Sequence, residues 1–202
     1  MRVKNNKSRQ ILFKWDNNLI KKKRWAVLSS ASKAIFPVIA VHKDKRGECW
    51  PSQQKIAELS GCTEKTVREG LKVLEEEGFS GIKIFKFKKD GMRWPGNHYY
   101  LDFPRVGQKD YFPFHKSLIT SMKWSQLKPS AKALYPVMRC FGYNDSYGRN
   151  YRPHDYCDRK KSYLAEFAGI NRKSIPIALE SLLAVGLINP VKKYSAWRVF
   201  ID

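Results

Sequence analysis

The sequence is short of acidic side chains. Asp and Glu number 18 against 39 Lys and Arg, which leaves a formal net charge of +21 over 202 residues. The excess is shared evenly, because residues 1–104 hold 22 basic and 11 acidic side chains and residues 105–202 hold 17 and 7. With 43% hydrophobic residues each half can bury a modest core, which excludes a disordered basic tail. A folded chain this basic predicts a polyanionic partner, nucleic acid before an anionic membrane.

Long apolar runs and paired cysteines are also missing. No apolar run approaches the roughly 18 residues of a membrane span, and the stretch "MRVKNNKSRQILFKW" lacks the apolar core of a signal peptide. Cys49, Cys62, Cys140 and Cys157 contain no Cys-x-x-Cys pair, so we expect free thiols in a cytoplasm. A zinc site from Cys140, His154 and Cys157 is disfavoured, because a fourth ligand is missing and the spacing matches no familiar site. We expect no metal and no cofactor.

The motifs of nucleic-acid enzymes are absent as well. There is no Gly-rich loop ending in Lys-Ser/Thr, so ATP use is not expected. A nicking enzyme would need a His-x-His metal cluster beside a tyrosine, but His42, His98, His115 and His154 are scattered. We therefore expect no enzyme and no catalytic residue. Magnesium-dependent DNA cleavage that is lost on changing His154 or Asp155 would instead support the hypothesis of a nuclease.

What the sequence does have is a phrase that occurs twice. "KAIFPVI" begins at Lys33, and "KALYPVM" begins 99 residues later at Lys132. Downstream, "IAELSGCTEKTVREGLKVLEEEGF" lies over "LAEFAGINRKSIPIALESLLAVGL" at an offset of 108, and "YYLD" at Tyr99 lies over "VFID" at Val199. Three matches in the same order predict two copies of one domain of about 100 residues. The predicted boundaries are residues 1–104 with a basic N-terminal arm, a linker at 105–109, and residues 110–202.

Each copy reads as three helices followed by a hairpin. In the first copy, Ser29 or its neighbour caps a helix that contains Pro37, Ser52 starts the second helix, and Thr63 caps the third. Three pairs of equivalent positions recur at the same places in the two copies: Ala57 and Ala165 at the helix crossing, Gly61 and Gly169 at a turn of positive φ, and Val67 and Ile175 facing inward. This pattern predicts tandem winged helix-turn-helix domains, a mainly α fold with small β wings (α+β). An ordinary helical hairpin in another bundle would leave the charge unexplained.

The stretch "GECWPSQQKIAELSGCTEKTVREGLKVLEEEGF" resembles the helix-turn-helix domains common in phage and plasmid replication proteins. The resemblance covers roughly residues 25–80. The second copy is similar only in its helix-turn-helix core, since "RNYRPHDYCDRKKSYLAEFAG" departs from the Cys-Trp-Pro-Ser pattern. The resemblance implies sequence-specific binding of double-stranded DNA, and implies replication initiation or maintenance at origin-type sites more loosely.

Two alternatives remain open at this stage. A transcriptional regulator, such as a repressor, would use the same contacts at a promoter. A protein-interaction module is disfavoured by the charge. Expected partners are double-stranded DNA and replication or mobile-element proteins, with no membrane, and the expected location is the cytoplasm, on the bacterial nucleoid or a plasmid. A monomer with two binding domains and a homodimer on repeated sites are both compatible with the sequence.

The third helix of such a fold enters the major groove, and its exposed face near the N-terminus reads base edges. The expected base-reading residues are Glu64, Lys65, Thr66, Arg68 and Glu69 in the first copy, and Arg172, Lys173 and Ser174 in the second. Pro176 replaces Arg68, removes a backbone donor and should shorten the second reading surface. The alternative for each residue is a solvated helix face with ion pairs such as Glu64–Arg68.

Phosphate contacts are expected from helix starts and hairpins. The expected backbone-contacting residues are Ser52, Gln53, Gln54, Lys55, Thr63, Lys72, Lys83, Lys86, Lys88, Lys89 and Arg93 in the first copy, and Arg159, Lys160, Lys161, Asn171, Lys192, Lys193 and Arg198 in the second. "KKKR" from Lys21 is either a phosphate clamp or a solubilising run. The loop at 142–157 either reaches a neighbouring groove or partner, or is an idle surface loop.

Overall fold

The protein is described by a computed structural model that covers residues 12–87, 96–102, 110–144, 155–191 and 196–199. The first half runs through strand β1 (Leu12–Asp16), helices α1 (Asn18–Lys21) and α2 (Ser30–His42), strand β2 (Glu48–Cys49), helices α3 (Gln53–Ser60) and α4 (Glu64–Glu76), and strands β3 (Lys83–Phe87) and β4 (Gly96–Tyr100). The second half runs through β5 (Tyr111–His115), α5 (Ser117–Thr120), α6 (Lys123–Gln126), α7 (Pro129–Asn144), β6 (Asp155–Cys157), α8 (Lys161–Ala168), α9 (Ile175–Ala184), β7 (Ile188–Val191) and β8 (Ala196–Val199).

Three small antiparallel sheets accompany the helices. The sheet of the first half has the strand order β2-β4-β3, and that of the second half has the order β6-β8-β7. The third sheet joins the two halves, because β1 pairs with β5. The fold is thus mainly helical with small sheets, which confirms the α+β class. The sequence missed the third strand of each wing sheet, β2 and β6, because two or three residues are too few to show an alternating pattern.

Local sequence signals place the helix ends. The side chains of Ser29, Ser52 and Thr63 each accept a hydrogen bond from the backbone N–H three residues on, which caps α2, α3 and α4. Gly61 ends α3 at φ 65° and Gly169 ends α8 at φ 60°, so both predicted positive-φ turns are confirmed. α2 runs through Pro37 without a break.

A single core draws side chains from both halves. Trp15 of β1 stacks on Phe112 of β5, with ring centroids 5.4 Å apart. Trp25 Nε1 donates a hydrogen bond to the Ala133 carbonyl at 2.9 Å. In the opposite direction, Trp124 Nε1 donates a hydrogen bond to the Ala34 carbonyl at 2.8 Å. The halves therefore pack through their first long helices. The predicted linker at 105–109 lies outside the described residues, and the predicted domain boundaries stay a prediction.

The turns at Gly61 and Gly169 also abut the opposite half of the chain. A Cβ on Gly61 would overlap the carbonyl oxygen of Ser125, and a Cβ on Gly169 would overlap that of Ala26. The turn at Gly61 is further held by buried Lys132, whose Nζ donates to the Ser60 carbonyl at 2.7 Å. These contacts fix where the second and third helices of each unit lie relative to the rest of the molecule. Among the helices of the described ranges, none has the length and apolar character needed to cross a membrane.

Candidate nucleic-acid interface

Helix α4 presents a polar face to solvent and an apolar face to the core. Val67 is buried, as predicted, and so are Leu71 and Leu74. The exposed side chains are those of Glu64, Lys65, Arg68, Glu69 and Lys72. Thr66 is different, because it is half-buried and its hydroxyl lies 3.0 Å from the hydroxyl of Thr63. The predicted reading face of the first unit is therefore accessible except at Thr66, whose hydroxyl is already engaged at the helix start.

The cations of this face are held only by surface ion pairs. Arg68 lies 3.9 Å from Glu64, and Lys72 lies 3.6 Å from Glu76. All four side chains are more than half exposed. Exposed pairs of this kind contribute about 0–1 kcal/mol, so a base edge or phosphate can displace the carboxylate at little cost.

The C-terminal end of α4 is fixed by an arginine from the "KKKR" run. Arg24 Nη2 donates to the carbonyl oxygens of Glu77 and Gly78 at 3.2 and 3.1 Å, and its guanidinium lies 6.0 Å from the Phe79 ring centroid. A cation at this end also complements the helix dipole. Sequence reasoning missed this role, because a contact between residues about 53 positions apart leaves no local signal.

The preceding lysine of the run makes a contact between the halves. Lys23 Nζ pairs with the carboxylate of Glu166 on α8 and lies 5.4 Å from the Phe167 ring centroid. Lys21 and Lys22 are exposed. A phosphate clamp therefore stays a prediction for the first two lysines, while the contacts of Lys23 and Arg24 favour structural roles.

At the start of α3, Ser52 is an N-cap. Its Oγ accepts a hydrogen bond from the Lys55 backbone N–H at 3.0 Å. Gln53 is half-buried, Gln54 and Lys55 are exposed, and the Lys55 ammonium pairs with Glu58 at 2.9 Å. The cap engages the Ser52 hydroxyl oxygen, so a phosphate at this helix start would meet chiefly Gln54 and Lys55.

The predicted reading helix of the second half begins differently from α4. Residues Arg172–Ser174 form a single 3-10 turn, capped by Asn171, whose Oδ1 accepts from the Lys173 backbone N–H at 2.8 Å. α9 starts only at Ile175, with Pro176 in its first turn, and has 10 residues against 13 in α4. Pro176 lies in the first turn of α9, where its missing backbone N–H costs no helical hydrogen bond. α9 is thus shorter than α4, and a shorter reading surface stays a prediction.

The outward side of α9 carries apolar side chains and Glu180 but no cation. Residues 175–184 contain no Lys or Arg, and Ile177 and Leu183 are 46% and 43% exposed. The exposed cations of this unit, Arg172 and Lys173, stand before the helix, and Ser174 is half-buried. The two units therefore offer unlike surfaces at equivalent places.

The start of α8 carries a second basic cluster. Arg159, Lys160 and Lys161 are exposed, and the Arg159 guanidinium lies 5.8 Å from the ring centroids of both Phe141 and Tyr163. Arg159, Lys160 and Tyr163 border a surface depression of about 450 Å³ that Asp158 and Glu166 also line. Lys160 occupies the N-cap position and makes no side-chain capping bond.

The wings are described in part. Lys83 and Lys86 on β3 are exposed. Arg198 on β8 is half-buried, and its Nη2 donates to the Tyr156 hydroxyl at 3.0 Å. The other predicted wing cations lie outside the described residues: Lys88, Lys89, Arg93, Lys192 and Lys193. His154 and most of the loop at 142–157 also lie outside them.

The four cysteines, all inside the described ranges, form no disulfide. Burial raises the pKa of Cys49 to about 12, which makes it an inert core side chain at neutral pH. In the part of the chain that the structure describes, no three His, Cys, Asp or Glu side chains come together as a metal site.

Comparison with known proteins gives one match. Residues 26–79 match the family model of a helix-turn-helix domain, a range that runs from just before α2 to just past α4. Searches of curated proteins and of solved structures find no match to the chain. The match confirms the resemblance drawn from the sequence as far as a helix-turn-helix domain, and that domain suggests DNA binding. The chain therefore contains a helix-turn-helix domain at residues 26–79.

Proposed function

We propose that this protein binds double-stranded DNA in a sequence-specific manner, with α4 lying in the major groove. The observation that carries the proposal is the exposed polar face of α4 within a segment that matches a helix-turn-helix domain. Arg68 and Lys65 are suited to guanine, and Glu64 can accept a hydrogen bond from cytosine. The net charge of +21 supplies the general attraction to phosphate.

The seating of α4 supports a reading role, because a helix that reads bases must be held at a fixed angle. Ser32 Oγ of α2 donates to the Gly70 carbonyl in the middle of α4 at 3.0 Å. A Cβ on Gly70 would lie 3.0 Å from the Ala31 carbonyl carbon, so only glycine allows this close approach of α2 and α4. Arg24 then fixes the far end of the helix.

The chain carries, in this proposal, two winged helix-turn-helix units that arose by duplication and bind neighbouring sites about 10 bp apart. Support comes from the order of elements, from the matching strand orders of the two wing sheets, and from the reciprocal tryptophan bonds. Because α9 lacks cations, we expect the first unit to supply most of the base reading. Arg172, Lys173 and the cluster at Arg159–Lys161 would then hold phosphates.

Binding without catalysis is the proposed activity, and initiation of replication or maintenance of a mobile element is the proposed process. The process rests on the resemblance of residues 25–80 to replication-protein domains. Sequencing of genomic fragments bound by the protein tests it directly. Fragments from origins support it, while fragments from promoters would instead assign the same contacts to a transcriptional regulator.

Binding to a selected duplex, followed by fluorescence anisotropy, tests the contact surface. Arg68→Ala and Lys65→Ala should weaken binding, while Lys128→Ala, an exposed lysine before α7 with no predicted contact, serves as the matched control. Equal affinity for all four proteins would contradict the assignment of α4.

A further inference from the structure

The solvent side of the first wing sheet carries a row of aromatic rings that duplex reading by α4 does not use. Phe85 of β3 lies opposite His98 of β4, and Trp50 directly follows the Cys49–Tyr99 pair. The Trp50 and His98 rings stack at 4.9 Å with an interplanar angle of 12°, and the Phe85 ring centroid lies 5.8 Å from that of His98. Three rings thus stand side by side across the sheet.

This row is exposed on the outer face, whereas the alternate residues are packed inward. Tyr99 and Cys49 are 0% and 2% exposed. Trp50 and Phe85 are 52% and 50% exposed, and they are two of only six large hydrophobic side chains exposed among the described residues. Contiguous exposed rings of this kind mark a binding surface.

Positive charge surrounds the rings. Lys83 lies two residues before Phe85, on the same face of β3, and is exposed, and Lys45 and Arg46 are exposed in the turn that leads into β2. Glu48 also faces this surface, with Oε1 3.9 Å from His98 Nε2. Lysine side chains beside aromatic rings complement a ligand that has phosphates and flat bases together, rather than an apolar protein segment.

The second wing sheet has a related pair at the equivalent place. Tyr156 of β6 lies opposite Arg198 of β8. The Arg198 guanidinium lies 5.5 Å from the Tyr156 ring centroid, and the tyrosine remains 40% exposed. An exposed aromatic ring on the edge strand, stacked on a side chain of the middle strand, therefore occurs in both sheets.

We propose that the outer face of the first wing sheet binds unpaired bases of single-stranded nucleic acid. A base would stack on the free face of the Trp50 indole or of the Phe85 ring, and Lys83, on the same face, would contact the phosphates. Within a duplex both faces of each base are covered by its neighbours, so only an unstacked base can extend this row. The proposal stands independently of whether α4 reads duplex DNA.

The test measures binding of a fluorescein-labelled oligo(dT) of about 15 nucleotides by anisotropy at fixed salt. W50A should weaken binding by about 5- to 100-fold, the range of one lost base stack. F85A should weaken it in the same direction, while W50F should retain most of the affinity. L183A, an equally exposed apolar side chain on α9, is the matched control and should leave binding unchanged.

Two further probes separate stacking from charge. An abasic oligonucleotide of the same length keeps the phosphates, so W50A should not alter its binding. A duplex of the selected sequence should bind W50A as it binds the wild type, and unchanged thermal unfolding would show that the variant is folded. The proposal is overturned if oligo(dT) binds W50A and F85A as tightly as the wild type, if the abasic strand is equally sensitive, or if duplex affinity falls by the same factor.

Discussion

Lys33 and Lys132 occupy equivalent places in the two repeated phrases, and both are buried with their ammonium groups on backbone carbonyls. Lys33 Nζ donates to the Ala26 carbonyl at 3.0 Å, and Lys132 Nζ to that of Ser60. Burial lowers the pKa of both, to about 8 for Lys33. In sequence these lysines look like ordinary surface residues of an amphipathic helix, and only the packing of the halves encloses them.

The buried Lys33 makes stability depend on pH. Because its folded-state pKa lies below the ordinary 10.5, the unfolded chain binds more protons between about pH 8 and 10.5, and this group adds stability as pH rises through that window. Relative to Lys33→Met, the wild type should gain roughly 1–3 kcal/mol of unfolding free energy from pH 7.5 to 10.5. Urea unfolding at both pH values measures the difference, and a pH-independent difference would contradict the lowered pKa.

At Arg24 the effect should be on stability more than on contact with DNA. Arg24→Ala removes two hydrogen bonds to the carbonyls of Glu77 and Gly78, just past the end of α4, and a favourable charge at the C-terminal end of that helix. We expect a loss of about 1–2 kcal/mol of unfolding free energy, measured by chemical denaturation. Lys22→Ala, two residues earlier in the same run and exposed, is the control and should cost less than about 0.5 kcal/mol.

At the scale of single elements, the ends of α3 and α4 could be predicted because they rest on neighbouring residues. Ser52, Gly61 and Thr63 act through bonds and dihedral angles within three positions, so their roles are visible in the sequence. The pairing of β1 with β5 and the hydrogen bond from Trp25 to the Ala133 carbonyl join residues about 100 positions apart. Nothing local encodes them, so the sequence could not show that side chains of both halves share one core.

The turn at Gly61 should tolerate no side chain. Gly61→Ala combines a positive φ with overlap against the Ser125 carbonyl, so we expect more than about 2 kcal/mol of destabilisation. Gly78→Ala is the matched control, because it also has positive φ but nothing lies near its Cβ position. Equal losses for the two variants, measured by urea unfolding, would mean that the contact between the halves adds nothing.

At the scale of the whole molecule, the shared core predicts that neither half folds well alone. Separation would expose Trp15, Trp25 and Trp124, which are fully buried across the junction. We expect residues 1–104 and residues 105–202, produced separately, to unfold without a sharp transition. A mixture of the two fragments should again show a sharp unfolding transition. Cooperative unfolding of an isolated half, seen by calorimetry, would show that this half has a core of its own and folds without the other.

Charge also acts over the whole molecule. If six to ten of the exposed cations neutralise phosphates, duplex affinity should fall by about 10³- to 10⁵-fold between 50 and 200 mM salt. Anisotropy titrations at several salt concentrations give the slope. An affinity that does not change with salt would contradict the proposed phosphate contacts and would favour a protein partner instead.

The central claim is that α4 reads base edges in the major groove, and selection of bound duplexes from a random library by the wild type and by Arg68→Ala tests it most directly. The account predicts that the wild type enriches a defined sequence, and that the variant loses preference at one position, equivalent to about 1–3 kcal/mol, while the rest of the motif is kept. Enrichment of no sequence, or of the same complete motif by both proteins, would contradict it.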